Sequence, residues 1–419
     1  MTTTKKNDNF DKKKIIDLSY SLSIYFLLGL ALFFNFEEAA YNPTRFVILK
    51  YFFYLQIVLF VIFILLSEKY KKIKLEKNVI ILLILIFANV SYLLINIFIN
   101  TCNYFEIYKL LSALIFFVYC CCLPFELKYI MRVIIIFTII ILCWGFYQKF
   151  YGFDFILANY SDILKPEAIA RLKSGRIYSV FVLPNTLASY LVITILIILA
   201  VMPEELKKMQ FDNFKKNLLF FFTAVCILGI YYTKTVSVIV SMIGAILICA
   251  AFHFFTSKNR NFKILLFSLL LLFFILIVMI YLRGLEYFYH SSIKYHIANY
   301  ISALNIWKSN NLLIGIGYGN FGKYYPDYIL KFGNAVRYTH NYYLQILCEL
   351  GIIGILLFLA TLIVFLKNFI FRNNQNLFLK LLVLYFLINL VFSIDFNVLA
   401  TMIYFAFSCA LCLRGNEKK

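Results

Sequence analysis

Long apolar runs, separated by short polar and basic segments, dominate the hydrophobic pattern of the chain. A membrane-spanning helix needs about 20 mostly apolar residues, with a range of roughly 17–25. About twelve runs come close to this length. They lie at 18–34, 46–66, 78–99, 109–123, 131–147, 180–202, 218–232, 235–255, 264–282, 341–366, 377–393 and 398–413. The pattern therefore predicts an all-α, polytopic membrane protein in which residues 1–419 form one integral membrane domain.

The composition supports this fold class. Hydrophobic residues make up 63% of the chain, charged residues make up 14%, and the mean hydropathy is +0.87. Soluble domains are roughly 45–50% apolar and about 25% charged. The sequence is thus not that of a soluble globular protein or of a disordered chain.

The net charge of +20 comes mainly from basic residues in short segments between apolar runs. Such segments lie on the cytoplasmic side of membrane proteins, so the pattern predicts that both termini are cytoplasmic. It favours a role in membrane topology over nucleic-acid binding, and no nucleic-acid partner is expected.

Two long connections, 148–179 and 283–340, then fall on the external face. The larger one lies between the ninth and tenth predicted spans. Within it, 293–308 is predicted to be an amphipathic helix lying at the membrane surface. Its apolar positions recur at helical spacing and are Ile293, Ile297, Ile301 and Leu304. We therefore expect any chemistry on this external face.

Three alternating glycines, Gly315, Gly317 and Gly319, lie in the larger connection. Glycine permits positive φ angles and close approach of the backbone to a ligand. The run is compatible with a phosphate-binding loop and equally with a turn, because no strand precedes it and the spacing is not that of a dinucleotide fingerprint.

His340 lies where this connection meets the tenth predicted span. An imidazole titrates near neutrality and can act as a general base that deprotonates a hydroxyl. The alternative is a structural histidine at the membrane interface. His296, also on the external side, remains a second candidate. No His, Cys and carboxylate residues have metal-ligand spacing, so neither a metal nor a cofactor is predicted.

Asn341, Gln345 and Glu349 are spaced four residues apart and would form a polar stripe on a helix. Glu349 would lie about two turns inside the membrane, where a carboxylate is a functional candidate by default. The alternative is that Glu349 holds the helices together through hydrogen bonds or through a buried arginine.

Arg176 and Arg337 are two of the few external arginines. Arginine binds phosphate groups bidentately and stays charged. Arg176 precedes the pair Pro184-Asn185, which interrupts an apolar run as helices lining a cavity often do. The alternative for Arg176 is an interfacial residue that extends its charge to water.

Together, these segments resemble the O-antigen ligase and O-antigen polymerase superfamily of bacterial inner-membrane glycosyltransferases. The resemblance rests on Arg176…Pro184-Asn185-x-Leu187-Ala188, Gly315-x-Gly317-x-Gly319-Asn320-Phe321 and His340-Asn341-x-x-Leu344-Gln345-x-x-x-Glu349-x-Gly351. It implies a GT-C type fold with a large periplasmic loop. It further implies metal-independent transfer of glycan from an undecaprenyl-diphosphate donor at the periplasmic face.

By this resemblance His340 is the base and Arg176 holds the donor diphosphate. Lys234 stands where the family often has arginine, and His296 lies nearest to a further family arginine that this chain lacks. Arg337 is expected to contact the diphosphate because it is close to His340. Supporting roles fall to Asn185, Gly315, Gly317, Gly319, Asn341, Gln345 and Glu349.

The expected function is that of an O-antigen ligase, with lipid A–core as acceptor and membrane lipid as surroundings. The alternative within the superfamily is a polymerase that takes a second lipid-linked glycan as acceptor. Two other classes are a transporter of lipid-linked oligosaccharides and a structural membrane protein. A transporter should show related halves and paired broken helices, which the sequence does not display.

Overall fold

The computed structural model describes residues 19–33, 43–66, 77–122, 127–181, 183–208, 213–256, 292–331, 333, 336–372 and 376–414. The described part is helical and contains no strand. The chain divides into two compact units. The first unit comprises 1–74, 108–238 and 398–419, and the second comprises 75–107 and 239–397.

The helices follow the hydrophobic runs. In chain order they are α1 Ser19–Phe33, α2 Pro43–Leu66, α3 Lys77–Ile99, α4 Tyr104–Cys122, α5 Leu127–Tyr147, α6 Phe153–Tyr160, α7 Pro166–Lys173, α8 Pro184–Lys208, α9 Asn213–Thr233, α10 Val236–Thr256, α11 Ser292–Ser309, α12 Phe321–Tyr324, α13 Tyr342–Phe365, α14 Leu377–Asn389 and α15 Leu399–Arg414. Each predicted span within the described part coincides with one of these helices. The predicted span 264–282 lies outside the described residues.

Five helical stretches in the described part are long and apolar enough to cross a membrane. They are Val79–Ile99, Tyr104–Cys122, Tyr129–Ile163, Pro184–Val201 and Tyr342–Ile370. The prediction of an all-α membrane protein is confirmed at this level. The count of twelve spans, the position of the large loop and the sides of the membrane stay predictions.

The external connection predicted at 148–179 is largely helical. A π-helical turn at Gln148–Gly152 joins α5 to α6, and the apolar helical stretch extends from Tyr129 to Ile163 over 35 residues. At 1.5 Å per residue this is about 52 Å, which exceeds the ~30 Å hydrocarbon core. The hydropathy pattern predicts the end of a span where apolar residues become sparse. The helix nevertheless continues, because its backbone hydrogen bonds continue beyond that point.

In the first unit, α8 packs against α5, α9 and α15. Leu187, Tyr190, Leu191 and Ile193 of α8 are fully buried, as expected for a helix that is apolar on all faces. The helix begins at Pro184, four residues later than the predicted run, because proline fits the first position of a helix but lacks the N–H that a helix interior requires.

In the second unit, α13 packs against α3 and α11. The amide of Asn89 on α3 donates to the Leu357 carbonyl at 3.3 Å and to Thr361 Oγ1 at 2.9 Å on α13. Interhelical hydrogen bonds of this kind stabilise helix pairs inside a membrane. The helix α11 spans the segment in which the sequence predicts an amphipathic helix, and Ile297 and Ile301 on it are exposed.

Candidate functional site

The site residues predicted from the sequence fall into separate groups. Arg176, Asn185 and Lys234 belong to the first unit. The second unit contains the remaining predicted residues, which are His296, Gly315, Gly317, Gly319, Arg337, His340, Asn341, Gln345 and Glu349. Each group is described within its own unit.

The helix α13 is interrupted at Gly351, whose φ of 66° and ψ of −165° are not helical. The carbonyl groups just before this break bond to the glycine run instead of to their own helix. The Ile316 N–H donates to the Cys348 carbonyl at 3.1 Å, and the next bond joins the Gly317 N–H to the Glu349 carbonyl at 2.9 Å. The glycine run thus replaces the missing turn of the helix.

The N–H groups just after the break are satisfied in the same way. Ile352 donates to the Leu312 carbonyl at 3.0 Å, and Ile353 donates to the Leu313 carbonyl at 3.2 Å. A broken helix inside a membrane protein is tolerated where protein groups satisfy its freed backbone. We call this arrangement of Gly351, Glu349 and residues 311–321 the glutamate–glycine junction.

The Glu349 side chain closes the junction. Its Oε2 accepts from the Gly319 N–H at 2.9 Å, and its Oε1 accepts from the Phe321 N–H at 3.1 Å and from Gln345 Nε2 at 3.2 Å. The residue is 1% exposed. Since the amides of the glycine run are used inside the protein, the geometry favours the turn over the phosphate-binding loop, and a structural role for Glu349.

The glycines of the junction are required by close contacts. A Cβ on Gly315 would lie 2.5 Å from the Glu349 carbonyl, and a Cβ on Gly319 would lie 2.7 Å from Glu106 Cγ. All three glycines of the run have positive φ angles, which side chains rarely adopt. The alternating glycines therefore allow the run to pack closely against the Glu349 backbone and the Glu106 side chain.

The polar stripe on α13 has three different local roles. Asn341 caps the helix, because its side chain accepts from the Leu344 N–H at 3.1 Å. Gln345 accepts from Asn397 Nδ2 at 3.0 Å while donating to Glu349. The stripe thus ties the beginning of α13 to the junction and to the turn that precedes α15.

His340 directly precedes this cap and has a φ of 59°, in the left-handed region that non-glycine residues seldom occupy. Its ring packs edge to face against the ring of His296, with 5.0 Å between centroids. Neither ring nitrogen of His340 has a hydrogen-bond partner among the described residues. Burial, assisted by His296, lowers the pKa of His340 to about 4. The imidazole is therefore neutral near pH 7 and has an unshared electron pair available.

Tyr300 on α11 fixes the backbone around His340. Its hydroxyl donates to the Val391 carbonyl at 2.8 Å and lies 3.4 Å from the His340 carbonyl. His296, one turn earlier on α11, has a buried Nδ1 with no partner among the described residues, and burial lowers its pKa. We call His296, Tyr300 and His340 the histidine cluster.

Arg337 forms an ion pair that the sequence did not predict. Its Nη2 lies 2.9 Å from Glu106 Oε1, and Tyr338 donates to the same oxygen at 2.7 Å. Glu106 is buried at the start of α4, three residues before the predicted beginning of that span. The only sign of this ion pair in the sequence is a carboxylate directly ahead of an apolar run. The hydropathy pattern places such a charged residue outside the span and so does not predict that it is buried.

In the first unit, the Arg176 guanidinium is held by neutral oxygen atoms. Its Nε donates to the Thr233 carbonyl at 2.8 Å, and its Nη2 donates to Asn185 Oδ1 at 2.9 Å and lies 3.4 Å from Thr235 Oγ1. No carboxylate among the described residues contacts it. Burial, and secondarily the charge of Arg171, lowers the pKa of Arg176.

Lys234 lies between the two threonines that hold Arg176 and has a φ of 51°. Its Nζ donates to the Ser174 carbonyl at 2.8 Å. The first unit thus brings together Arg176, Asn185 and Lys234 with Thr233 and Thr235. We call these five residues the arginine cluster.

Residues 219–359, about a third of the chain, match the family model described as O-antigen ligase. This match supports the resemblance to the O-antigen ligase and polymerase superfamily. The matched region includes Lys234, the glycine run, His340 and Glu349, whereas Arg176 lies before it. A comparison with curated proteins gave no match.

The superfamily consists of glycosyltransferase-like enzymes. Among the described residues, no three His, Cys, Asp or Glu side chains converge in a way that could hold a metal ion. Metal independence of this protein stays a prediction.

Proposed function

We propose that this protein is an O-antigen ligase-type glycosyltransferase. It transfers glycan from an undecaprenyl-diphosphate donor to lipid A–core at the periplasmic face of the bacterial inner membrane, without a metal or cofactor. The single observation that carries the proposal is the buried, neutral imidazole of His340, whose ring nitrogens have no hydrogen-bond partner among the described residues. It lies at the junction of a loop and α13 in the part of the chain that matches the family.

His340 acts as the general base. A ring nitrogen takes the proton of the acceptor hydroxyl as the hydroxyl oxygen attacks the anomeric carbon of the donor sugar. The bond between that carbon and the diphosphate oxygen breaks, and undecaprenyl diphosphate leaves with the electron pair. Since the leaving group is already a stabilised anion, one base and electrostatic contacts to the diphosphate suffice.

Arg176 and Lys234 hold the donor diphosphate. The support is the guanidinium that meets only neutral acceptors among the described residues, with Lys234 between its two threonine partners. Charge-assisted bonds to phosphate are about twice as strong as neutral ones. Arg337 and His296 are proposed contacts of lesser weight, because Arg337 shares its charge with Glu106 and His296 is neutral.

The proposed topology follows the distribution of basic residues. Both termini are cytoplasmic, and 148–179 and 283–340 face the periplasm. Cysteine labelling from the outside of intact cells tests this arrangement at the exposed positions Lys165 and Lys308. Labelling of both positions is expected, and labelling of neither contradicts the topology.

The function is tested in a deletion strain complemented with wild-type protein, His340→Ala or the exposed control Lys308→Ala. Surface lipopolysaccharide is run on a gel and the undecaprenyl-linked glycan is analysed in parallel. A ligase predicts that His340→Ala, at normal membrane abundance, loses the ladder while long polymer stays on the lipid carrier. Core carrying a single repeat unit would instead mean a polymerase, and an unchanged profile would contradict both.

A further inference from the structure

The π-helical turn after α5 contains a lysine that the sequence motifs did not indicate. Beside it, Gln148 anchors this turn to the segment before α8. Gln148 Oε1 accepts from the Ser179 N–H at 2.7 Å, and Gln148 Nε2 donates to the Ser179 carbonyl at 3.0 Å. Single π-turns inside α-helices often occur at functional sites. The anchor fixes Lys149 relative to the segment that contains Arg176.

The Lys149 ammonium reaches the backbone turn just before Arg176. Its Nζ lies 2.8 Å from the position that a Cβ on Gly175 would occupy, and Gly175 has a φ of 61°. Any other residue at 175 would need a strained backbone and would displace the amine. Glycine at this position therefore permits the approach of Lys149.

A second ammonium reaches the same turn from α9. Lys234 Nζ donates to the Ser174 carbonyl at 2.8 Å. The ammonium groups of Lys149 and Lys234 thus both reach the turn that directly precedes Arg176 in the chain. The charge of Arg171 also acts on Arg176 and lowers its pKa. Like charges repel each other, and the repulsion is strongest where burial excludes water.

No carboxylate in the described part of the chain bonds to Lys149 or to Arg176. Repulsion between converging cations is relieved when an anion binds between them. One positive charge from each of three side chains suits a ligand that carries two phosphate groups better than a ligand that carries one.

We propose that Lys149 is a further diphosphate-binding residue, acting with Arg176 and Lys234 on the diphosphate of a polyprenyl-linked donor. This inference rests on the proposed function. Lys149 contributes charge to the second phosphate, so that the site distinguishes diphosphate from monophosphate lipids.

The test measures binding of undecaprenyl diphosphate, undecaprenyl monophosphate and inorganic pyrophosphate to purified full-length protein in detergent micelles. The variants are Lys149→Gln, Lys149→Arg and the control Lys165→Gln, an exposed lysine ahead of α7. Lys149→Gln is expected to weaken diphosphate lipid binding about tenfold, as the loss of one charge-assisted bond implies. It should weaken monophosphate binding much less, and Lys149→Arg should retain most of the affinity.

Unchanged affinity in correctly folded Lys149→Gln, or an equal loss in Lys165→Gln, would overturn the inference. Arg176→Lys separates this failure from failure of the proposed function. If Arg176→Lys loses binding while Lys149→Gln does not, Lys149 is not part of the site but the proposed donor site stands. Full binding in both variants would mean that the arginine cluster is not the donor site, which contradicts the proposed function as well. Pyrophosphate binding as tight as that of the lipid would mean a site for free phosphates and would overturn the lipid-linked assignment.

Discussion

The glutamate–glycine junction and the arginine cluster both contain an ionisable side chain and residues with positive φ angles, yet the surroundings of the two ionisable groups are opposite. In the junction, the Glu349 carboxylate accepts three hydrogen bonds from the protein itself. In the arginine cluster, Arg176 meets neutral oxygen atoms, and further cations lie close by. The junction is complete without a ligand, whereas the arginine cluster has positive charge available to an anion.

It follows that a residue of the sequence motifs need not touch substrate. Glu349 and Gly351 are as prominent in the sequence as Arg176, but they hold a loop against a broken helix. Their substitution should reduce the amount of folded protein. Substitution in the arginine cluster should reduce activity per folded molecule.

Gly351→Ala should have the largest effect. Its φ of 66° disfavours any side chain, and a Cβ there would collide with the Leu313 backbone. The substitution should lower the free energy of unfolding by about 3 kcal/mol or more, and membrane abundance should fall sharply. Immunoblots of the membrane fraction measure it. Gly244→Ala is the control, because its Cβ would meet only the flexible end of Ile388 at 3.1 Å. Equal abundance of both variants would mean that the break in α13 is dispensable.

Arg176→Lys comes next and acts on activity. Lysine cannot hold the Thr233 carbonyl and Asn185 together while presenting a fork to phosphate. Transfer should fall about tenfold or more at near-normal abundance, as expected for the loss of a charged hydrogen bond. A transfer assay normalised to folded protein measures it, with Lys173→Arg on the exposed face of α7 as control. Activity close to that of the control would leave Arg176 only an interfacial role.

Glu349→Gln tests whether Glu349 has a structural role in the junction. An amide offers one acceptor oxygen where the carboxylate offers two, so Gly319 N–H or Phe321 N–H loses its partner. The cost should be about 1–3 kcal/mol. Thermal unfolding in detergent should shift downward, while transfer per folded molecule stays the same. Normal thermal stability combined with lost transfer would assign Glu349 to the chemistry instead.

Tyr300→Phe should have the smallest effect. It removes the hydroxyl that donates to the Val391 carbonyl at 2.8 Å beside His340. The loss of this hydrogen bond, worth about 1 kcal/mol of stability, should make the left-handed backbone of His340 more mobile and lower kcat several-fold, with KM unchanged. Steady-state kinetics of the purified protein measure both constants. A change in KM alone would place Tyr300 at substrate binding rather than at positioning of the base.

The sequence predicts the helices well because an apolar run of spanning length has few alternatives in a membrane. It misplaces the start of α4 because Glu106 is polar, although Arg337 and Tyr338 satisfy it. It also ends a span at 147, where the π-turn continues the helix. Both differences arise where a buried polar group has a partner distant in sequence.

The candidate site is predictable in its residues but not in its contacts. Glu349 lies 30 residues after Gly319, and local spacing cannot show that the two are bonded. The left-handed backbone of His340 depends on the cap of α13 and on Tyr300, which periodicity does not reveal. The sequence carries no signal for Lys149, because aromatic residues surround it and no motif contains it.

The pH dependence of kcat/KM for glycan transfer tests most directly whether His340 works as a buried, neutral base. Burial lowers the pKa of His340 to about 4, so the neutral form is complete above that value and is lost as the pH falls through it. The rate constant should therefore stay level from about pH 5 to 7 and decline only near pH 4. A decline centred near pH 6.5, the ordinary value for histidine, would contradict a buried base at this position.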